Sequence, residues 1–548
     1  KNIVPENIFN DVVVRELKKL NRISPLNAEH QVVRNYLEFL SELPWKEETV
    51  DNYNLKNAQE ILDKDHYGLS KIKERIIEFI AVKAHSPLAK SPILCFVGPP
   101  GVGKTSLGQS IARALVRNFQ RIALGGLHDE AELRGHRRTY IGSMPGKIIE
   151  TLRRSGSNNP VILLDEVDKI SNSYKGDPSG ALLEILDPEQ NKNFKDNYLD
   201  VPYDLSNVLF ICTANSVDTI SAPLLDRMEL IELSSYTETE KVFIALNHLI
   251  PKQLEAIALS EKYVKFSEAT LRHIIFNYAP EAGVRKLEEL IAKIIRKILV
   301  KLSEVKFNEK LIKKNKLNEI TTQNLNKFLG VERPFDLNKR EELKIGNGVG
   351  LAWSRVGGSV LYIESLITGS NKELSITGSI GDSMSESTKI ALSYLRSNAK
   401  RYRFDTSLTA NASLHVHFPE GAVKKDGPSA GIAIVTALYS LFSENIMRND
   451  IAMTGEVTLS GLVLPIGGLK EKAIAAMRAG FKRVIIPKAN EADLIEFPDE
   501  LKENIKFIPV ENVEQVLYEC FDNFIISGAN SRLYPHMNTL TITDSLHN

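Results

Sequence analysis

The sequence is poor in cysteine, has no net charge and contains no long apolar run. Its three cysteines cannot form a disulfide framework, and Cys95 and Cys212 lie in runs typical of buried strands, which favours a reducing compartment. Sixty-nine basic residues balance 69 acidic ones, which argues against a nucleic-acid coat as the main role. The longest apolar run, residues 431–442, is far short of the ~18–20 residues of a membrane helix. We therefore expect a soluble protein from inside a cell.

The length of 548 residues predicts about three or four domains. The chain opens on Lys1 and a polar segment, so no signal peptide is visible and the start of a fragment is expected. Changes in apolar spacing predict a multidomain α/β and α+β fold. The predicted parts are a helical segment at 1–45, an α/β domain with a buried parallel sheet at 46–235, a small helical domain at 236–335, an α+β domain at 336–528 and a flexible tail at 529–548.

Local patterns also predict individual strands and helices. The strands are expected at 92–97, 161–164, 208–213, 360–364, 414–418 and 484–487. The clearest helices are expected at 271–278, 284–302, 388–398, 429–442 and 472–480.

A phosphate-binding loop follows the first of these strands. Residues 98–105 fit G-x-x-x-x-G-K-[ST] at every position, and they lie between a strand and a helix expected to begin near Ser106. Lys104 would reach the β- and γ-phosphates of ATP, and Thr105 would bind Mg²⁺. An incidental Gly/Pro-rich turn is the alternative, which the strand–loop–helix setting disfavours. The loop consists of Gly98, Pro99, Pro100, Gly101, Val102, Gly103, Lys104 and Thr105.

An acidic pair ends the apolar strand at 161–164. Asp165 would hold Mg²⁺ through water, and Glu166 would polarise the water that attacks ATP. Such a pair after a strand is common by itself, but about 60 residues after a phosphate loop it indicates an ATPase.

Three further polar side chains fit the same site. Asn215, at the end of the strand at 208–213, is placed to order the attacking water. Arg227 is placed to act on the nucleotide of a neighbouring subunit, and Arg285 begins a helix from which it could read the γ-phosphate. A surface ion pair is the alternative for either arginine. The order of these elements resembles the AAA+ family of ring-forming ATPases, and that resemblance implies an oligomer with an arginine acting in trans.

Ser429 is the candidate nucleophile of the last domain. It stands at the first turn of an apolar helix, where backbone N–H groups can stabilise an oxyanion, although helix capping is the commoner role of such a serine. The surrounding pentapeptide also fits G-x-S-x-G. An α/β-hydrolase elbow is disfavoured, because Ser429 does not directly follow a strand and the histidines after it, His536 and His547, lie in the polar tail.

Without a suitable histidine, a neutral lysine is the remaining activator of this serine. A lysine pKa near 10.4 must fall by about three, roughly 4 kcal/mol. A helix terminus supplies only ~0.3–1 kcal/mol, whereas burial lowers a lysine pKa by ~3–5, so burial must dominate. Lys470 and Lys472 point to opposite sides of a helix start, and periodicity only weakly favours Lys472.

Eight sequence runs together resemble the A-type Lon protease family of homohexameric, ATP-dependent serine peptidases. The resemblance covers about residues 10 to 525, although most of the family's large N-terminal domain is missing. A second departure is the run NGV at 347–349, in place of a bulkier stretch. The runs are VRNYL at 33–37 with LPW at 43–45, the phosphate loop, GHRRTYIG at 135–142, LDPEQ at 186–190, GLAW at 350–353, KDGPSAG at 425–431 and MTGE at 453–456.

The resemblance implies roles for individual residues. Ser429 would be the nucleophile and Lys472, rather than Lys470, its general base. Thr454 would contribute to the hydrogen bonding of the pair, and Asp426 would be a gating or orienting carboxylate.

The same resemblance makes Tyr140 and Ile141 the pore-loop pair that grips unfolded polypeptide. By residue type alone, a loop anchored into the core is the more usual fate of an aromatic side chain. Residues 136–138 are an alternative DNA-binding patch, since family members bind DNA.

We therefore expect an ATP-dependent serine protease of protein quality control that unfolds, translocates and degrades damaged, misfolded or regulatory proteins inside a hexameric ring. Its expected cofactors are ATP and Mg²⁺, and its expected partners are unfolded protein substrates and further copies of itself, with DNA binding as an additional expectation and no membrane. The expected location is the bacterial cytoplasm, with the mitochondrial matrix as the alternative. The rival functions are an ATP-dependent remodeller or chaperone and a DNA-stimulated ATPase, both without peptidase activity.

Overall fold

The computed structural model describes residues 4–86, 92–127, 129–138, 142–170, 177–307, 319–332, 339–354, 357–419 and 425–524. The chain divides into two compact units, Lys1–Glu332 and Arg333–Asn548. The predicted tail and the pair Tyr140–Ile141 lie outside the described residues. Among the residues that are described, no helix combines the length and the apolar composition needed to cross a membrane.

The first unit begins with helices, as the apolar spacing predicts. Residues 6–22 are helical through the segments Glu6–Ile8, Phe9–Val13 and Val14–Arg22, and a second helix spans Ala28–Glu42. Asn27 caps the second helix by accepting a hydrogen bond from the Glu29 amide at 2.9 Å. Its buried side chains join a hydrophobic core with residues of the following α/β region.

A five-stranded parallel sheet forms the α/β region. The three central strands are almost wholly apolar and buried, as is typical of a parallel sheet covered by helices on both faces. The order of the five strands across the sheet is Phe119–Ala123, Val161–Asp165, Leu209–Ala214, Ile93–Val97 and Met228–Glu232. The helices of this region are Leu55–Asp65, Ser70–His85, Lys104–Leu115, Ala131–Arg134, Lys147–Ser155, Pro178–Leu186 and Ala222–Leu225.

The parallel arrangement decides where the polar residues meet. The three predicted strands are present, each within a residue or two of its expected bounds. Since all three run in the same direction, the loops after Val97, Asp165 and Ala214 leave the sheet at one edge.

A small helical region completes the first unit. Its helices share a hydrophobic core with the α/β region, and Thr237 and Glu240 form a capping box at the first of them. The α-helices are Glu238–Ile244, Ile250–Ala256, Glu268–Tyr278, Arg285–Glu304 and Leu325–Leu329, with a π-helical turn at Ala245–Leu249 and a short strand pair at Lys265–Phe266 and Glu319–Ile320.

The second unit is built on a seven-stranded mixed sheet. Its strand order is Leu374–Thr377, Ser413–His417, Gly357–Gly369, Asn347–Ser354, Ile451–Met453, Arg483–Pro487 and Lys506–Val510. The α-helices are Asp382–Ser397, Thr406–Asn411, Gly431–Ser443, Leu469–Arg478, Asp499–Asn504 and Val513–Cys520. The fold class predicted from the sequence is confirmed.

The helix Gly431–Ser443 lies at the centre of this unit. Its residues are apolar all round, as expected for a helix buried on every side. It packs so closely on the strand Asn347–Ser354 that a Cβ atom at Gly348 would lie 2.4 Å from the carbonyl oxygen of Ala433. The predicted helix start is wrong in one respect, because Ser429 lies in a short 3-10 turn, Pro428–Ala430, directly before the α-helix.

Candidate functional site

The phosphate loop connects the strand Ile93–Val97 to the helix Lys104–Leu115. The helix begins at Lys104, two residues earlier than predicted. The Nζ atom of Lys104 donates hydrogen bonds to the carbonyl oxygens of Gly98 and Pro99 and, at 2.9 Å, to Oδ1 of Asn215. Burial lowers the pKa of Lys104 to about 8, although nearby carboxylates act in the opposite direction.

The acidic pair lies at the end of its strand, as predicted. Asp165 is buried, accepts a hydrogen bond from Nε of Arg121 at 2.7 Å and is also bonded by the hydroxyl of Thr213. The amide of Glu166 donates to the same hydroxyl at 3.1 Å. Glu166 has a φ angle of +61°, a strained conformation for a residue with a side chain, which is typical of functional sites.

The helical region closes over the phosphate loop. The amide of Val284 donates a hydrogen bond of 3.0 Å to the carbonyl of Gly101, and the hydroxyl of Tyr236 donates one of 2.7 Å to that of Val102. A Cβ atom at Gly283 would lie 2.3 Å from the carbonyl carbon of Gly101, so a larger residue would separate the two segments. Arg285 is thereby placed beside the loop.

One cavity of about 520 Å³ unites these residues, a size within the ~300–1,000 Å³ range of ligand pockets. Its oxygen donors are of the hard kind that Mg²⁺ prefers, and its loop glycines leave backbone N–H groups open to phosphate, so the residues fit a magnesium nucleotide. Of the residues that the sequence predicted for the nucleotide site, those that line this cavity are Pro100, Gly101, Gly103, Lys104, Thr105, Asp165, Glu166, Asn215 and Arg285.

Arg227 lies away from this cavity. Its guanidinium donates to the carbonyl of Pro223 at 2.9 Å and pairs with Asp187 at 3.2 Å. It is not among the described residues that line the nucleotide cavity of its own chain. Its assigned action on a neighbouring subunit stays a prediction.

A second cavity, of about 320 Å³, contains Ser429 and Lys472. Ser429 is partly exposed at one end of the helix Gly431–Ser443, and neither its turn nor that helix has a side-chain cap hydrogen bond. The capping alternative is therefore not realised. The lining of this cavity is largely apolar and includes Leu351, Leu361 and Met384.

The two lysines considered from the sequence differ in burial. Lys472 is 3% exposed, whereas Lys470 is partly exposed. Burial lowers the pKa of Lys472 to about 8, although the neighbouring carboxylate of Glu471 acts in the opposite direction. Their helix begins at Leu469, three residues before the predicted start. A buried lysine with a lowered pKa, in the same cavity as a serine, is what a serine–lysine pair requires.

Thr454 and Asp426 both lie near Ser429, each with its own contacts. The Thr454 hydroxyl donates a hydrogen bond of 3.2 Å to the backbone carbonyl of Ser429, not to its side chain. Asp426 is exposed, lines the cavity and accepts hydrogen bonds from the amides of Gly427 and Met384 at 2.9 and 3.3 Å. It thus holds the start of the helix Asp382–Ser397. The roles assigned to these four side chains stay predictions.

The suggested DNA-binding patch at residues 136–138 is partly engaged within the chain. The guanidinium carbon of Arg138 lies 3.8 Å from the ring centre of Tyr36, and carboxylate oxygens of Glu16 and Asp200 lie 3.8 and 3.9 Å from its nitrogens. Arg138 therefore has three partners inside the protein.

Several residues of these sites were missed by the sequence reasoning. Thr213 is a polar residue within an apolar strand, and Arg121 points to solvent from an edge strand. Both features can be seen in the sequence, but they are also common in sheets that have no functional site. Trp353 is 46% exposed, lines the second cavity and lies against Gly468 before the lysine helix. An aromatic residue at a strand end indicates a site only when it is known which end of the strand faces the cavity, and the sequence does not give this.

Three family models match the chain in order. They are the "ATPase family associated with various cellular activities (AAA)" at residues 94–236, the "Lon protease AAA+ ATPase lid domain" at 255–311 and the "Lon protease (S16) C-terminal proteolytic domain" at 319–523. The matches and the two cavities define a class of protein that carries an AAA ATPase domain and a serine peptidase domain on one chain.

Curated relatives narrow that class. The chain is 51% identical over 508 residues to Lon protease 1 of Myxococcus xanthus, covering 92% of this chain and 61% of that protein. It is 51% identical to Lon protease of Dictyoglomus thermophilum (92% and 63%) and 50% identical to Lon protease of Aquifex aeolicus (94% and 64%). The chain belongs to the Lon protease family, and it spans about three fifths of the length of these relatives.

Proposed function

We propose that this protein is an ATP-dependent serine protease that unfolds protein substrates and degrades them processively. The observation that carries the proposal is the burial of Lys472, 3% exposed and with its pKa lowered to about 8, in the cavity that also contains Ser429. A remodeller without peptidase activity would gain nothing from such a lysine, because its burial destabilises the fold.

Ser429 acts as the nucleophile and Lys472 as the general base in this proposal. Oγ of Ser429 attacks the scissile carbonyl carbon while neutral Nζ of Lys472 takes its proton. Backbone N–H groups near the start of the helix Gly431–Ser443 stabilise the oxyanion. The C–N bond then breaks, the proton passes to the leaving amine, and water hydrolyses the acyl-enzyme. Thr454 and Asp426 support this geometry from the Ser429 carbonyl and the adjacent turn.

The substitution Ser429→Ala tests the peptidase half. We expect it to abolish cleavage of casein and to leave ATP hydrolysis within about twofold of the unsubstituted protein, since it removes only the nucleophile. Ser407→Ala, at an exposed helix start in the same unit, is the matched control and should keep both activities. Unchanged casein cleavage in Ser429→Ala would rule out the serine–lysine pair.

The nucleotide cavity drives the process. Backbone N–H groups of residues 101–103 and Nζ of Lys104 bind the phosphates, Thr105 and Asp165 hold Mg²⁺, and Glu166 polarises the attacking water. When bound, the magnesium ion neutralises charge on the β- and γ-phosphates. Asn215 orients the water, and Arg285 reads the γ-phosphate from the helical region.

Glu166→Gln tests this half, because the amide cannot take up the developing charge on the attacking water. We expect the variant to bind ATP normally, measured with a fluorescent ATP analogue, and to lose hydrolysis and the degradation of folded protein. The exposed Glu60→Gln should behave as the unsubstituted protein. Normal turnover by Glu166→Gln would remove Glu166 from its role.

The remaining parts of the proposal concern assembly and substrate. Copies of the chain form a homohexamer in which Arg227 acts on the neighbouring nucleotide, and Tyr140 and Ile141 pull unfolded or damaged protein along a central channel.

The proposed domain limits are 46–235 for the large ATPase domain, 236–335 for the helical domain and 336–528 for the peptidase domain, after a helical end of the N-terminal domain at 1–45. The proposed location is the bacterial cytoplasm, in keeping with the sources of the relatives. DNA binding remains a secondary proposal and has less support, since Arg138 is engaged within the chain.

A further inference from the structure

A buried carboxylate holds both ends of the segment that carries Tyr140 and Ile141. Asp196 is 0% exposed, and its Oδ2 accepts a hydrogen bond of 2.7 Å from the amide of Gly146. Gly135 packs on the same carboxylate, since a Cβ atom there would lie 2.7 Å from Oδ1. The two contacts are eleven residues apart in the chain and meet on one side chain.

Asn197, which follows Asp196, contacts only the end of the segment at Gly135. The amide of Asn197 donates a hydrogen bond of 2.6 Å to the carbonyl of Arg134, and its side-chain Nδ2 donates one of 3.1 Å to the carbonyl of Gly135. Between the ends, the amide of His136 donates to the carbonyl of Met144 at 3.0 Å. The described parts of segment 135–146 therefore form a stem that Asp196 and Asn197 fasten to the body of the domain.

The same carboxylate also connects the stem to the N-terminal helices. Oδ1 of Asp196 accepts hydrogen bonds from the amides of Tyr198 and Leu199 at 2.7 and 2.9 Å. The carbonyl of Leu199 accepts a bond of 2.7 Å from the hydroxyl of Tyr36, whose ring lies under the guanidinium of Arg138. These contacts connect the segment to the helix Ala28–Glu42, which carries Tyr36.

We propose that Asp196 is a positioning residue for protein translocation: it fixes the stem of segment 135–146, so that nucleotide-driven movement of the domain is transmitted to Tyr140 and Ile141. This inference rests on the proposed function, in which that pair grips the substrate. A loop that moves a substrate must be fixed at both ends, because a flexible stem would move relative to the domain and the loop would not follow the domain.

The chemistry of the site supports a specific purpose for the charge. Burial raises the pKa of Asp196 to about 6, although three amide donors and His136 act in the opposite direction. At neutral pH the group is therefore largely ionised, and a buried anion holds amide donors more strongly than a neutral acceptor does.

Asp196→Asn is the first test. The new amide can still accept from Tyr198 and Leu199, but its NH₂ group would then face the amide N–H of Gly146, so this end of the stem is released. We expect folded-protein degradation per ATP hydrolysed to fall at least about tenfold, with ATP hydrolysis and short-peptide cleavage within about twofold of the unsubstituted protein. Amide hydrogen exchange should accelerate at residues 135–138 and 142–146.

Asn197→Ala is the second variant, chosen because Asn197 is exposed and its loss should not prevent folding. It removes the bond to the carbonyl of Gly135, and we expect a smaller loss of degradation per ATP, roughly threefold to tenfold. The exposed Asp204→Asn, eight residues beyond Asp196, is the matched control and should degrade protein normally.

The proposal would be overturned if Asp196→Asn degraded folded protein, per ATP hydrolysed, within twofold of the unsubstituted protein. If Asp196→Asn does not fold, the same result in Asn197→Ala would overturn it. Loss of ATP hydrolysis in step with degradation would do the same, because it would indicate general damage to the domain. If the unsubstituted protein itself fails to degrade folded protein with ATP, the proposed function fails instead. Hydrogen exchange at the stem then still decides whether Asp196 fastens it.

Discussion

The hydroxyl of Thr454 donates a hydrogen bond of 3.2 Å to the backbone carbonyl of Ser429. The amide of Gly455 donates a second bond, of 2.8 Å, to the same oxygen. Thr454 is fully buried, so its hydroxyl has no water to replace this contact. The strand Ile451–Met453 is therefore connected directly to the backbone of the proposed nucleophile.

Thr454→Val should impair catalysis with little change in substrate binding. The substitution keeps the side-chain shape but removes the donor, so the Ser429 carbonyl retains one partner. We expect a loss of about 1–2 kcal/mol, roughly 5–30-fold in kcat for a short peptide. Thr436→Val, at an equally buried threonine bonded to the carbonyl of Ile432, is the control and should alter stability more than kcat. Equal effects of both variants on kcat would contradict a specific role for Thr454.

Short-peptide cleavage should rise with pH and level off above about pH 8. The neutral form of Lys472 is the proposed base, and burial lowers its pKa to about 8. Below that value the neutral fraction, and with it kcat/KM, should fall about tenfold for each pH unit. The measurement is kcat/KM for an ATP-independent peptide between pH 6 and 10. A profile that is flat across this range would exclude Lys472 as the titrating base.

Lys472→Met should abolish cleavage and stabilise the second unit at neutral pH. The lysine pKa falls from 10.5 to about 8 on folding, so the unfolded chain binds more protons between these values and stability rises with pH across that window. Below pH 8 the buried, protonated lysine lowers the free energy of unfolding by its full amount, roughly 3 kcal/mol. This value follows from about 1.4 kcal/mol for each tenfold change in proton affinity.

Thermal unfolding at pH 7 and pH 10 checks this stability effect. The variant should unfold at a higher temperature than the unsubstituted protein at pH 7, and the difference should shrink at pH 10. Lys482→Met, at an exposed position in the same unit, should change neither midpoint appreciably. A lower midpoint for Lys472→Met at pH 7 would show that the buried amine contributes net stability.

Arg227→Ala should reduce ATP hydrolysis without weakening nucleotide binding. Arg227 contacts Pro223 and Asp187 in its own chain and is not among the described residues lining that chain's nucleotide cavity. Removal of an arginine acting in trans should lower kcat for ATP by at least about 10³-fold. Sedimentation must show that the variant keeps the assembly state of the unsubstituted protein, a hexamer in our proposal, and the exposed Arg154→Ala serves as the control. Full ATP hydrolysis by a hexameric Arg227→Ala would make the assignment wrong.

Most residues that line the nucleotide cavity could be predicted as a group because their signals are local, although their roles stay predictions. The glycines and lysine of the phosphate loop act through spacing along eight residues, and Asp165 and Glu166 follow directly from the end of a buried strand. Asn215 was also found in this way. Arg121 and Thr213 were not, because their importance depends on which strands are neighbours, and the strand order is set by contacts far apart in the chain.

The choice between Lys470 and Lys472 shows the same limit. Both lie at the start of one helix, and spacing alone barely distinguishes them. Their burial differs because the helix Leu469–Arg478 packs against the strand Gly357–Gly369, where a Cβ atom at Gly358 would lie 2.0 Å from the carbonyl of Glu471. The identity of the candidate base is therefore a result of packing.

By itself, the sequence determined the order of the domains, the phosphate loop, the acidic pair and the presence of a serine and a lysine suited to hydrolysis. These features depend on residue type and short-range spacing, which folding does not alter. The tertiary structure alone decided that Lys472 is buried in the cavity that also contains Ser429, that Thr454 bonds to the carbonyl rather than the hydroxyl of Ser429, and that Asp196 joins two ends of a distant segment. Each of these depends on desolvation or on hydrogen bonds between residues far apart in the chain, and only the packed fold creates either.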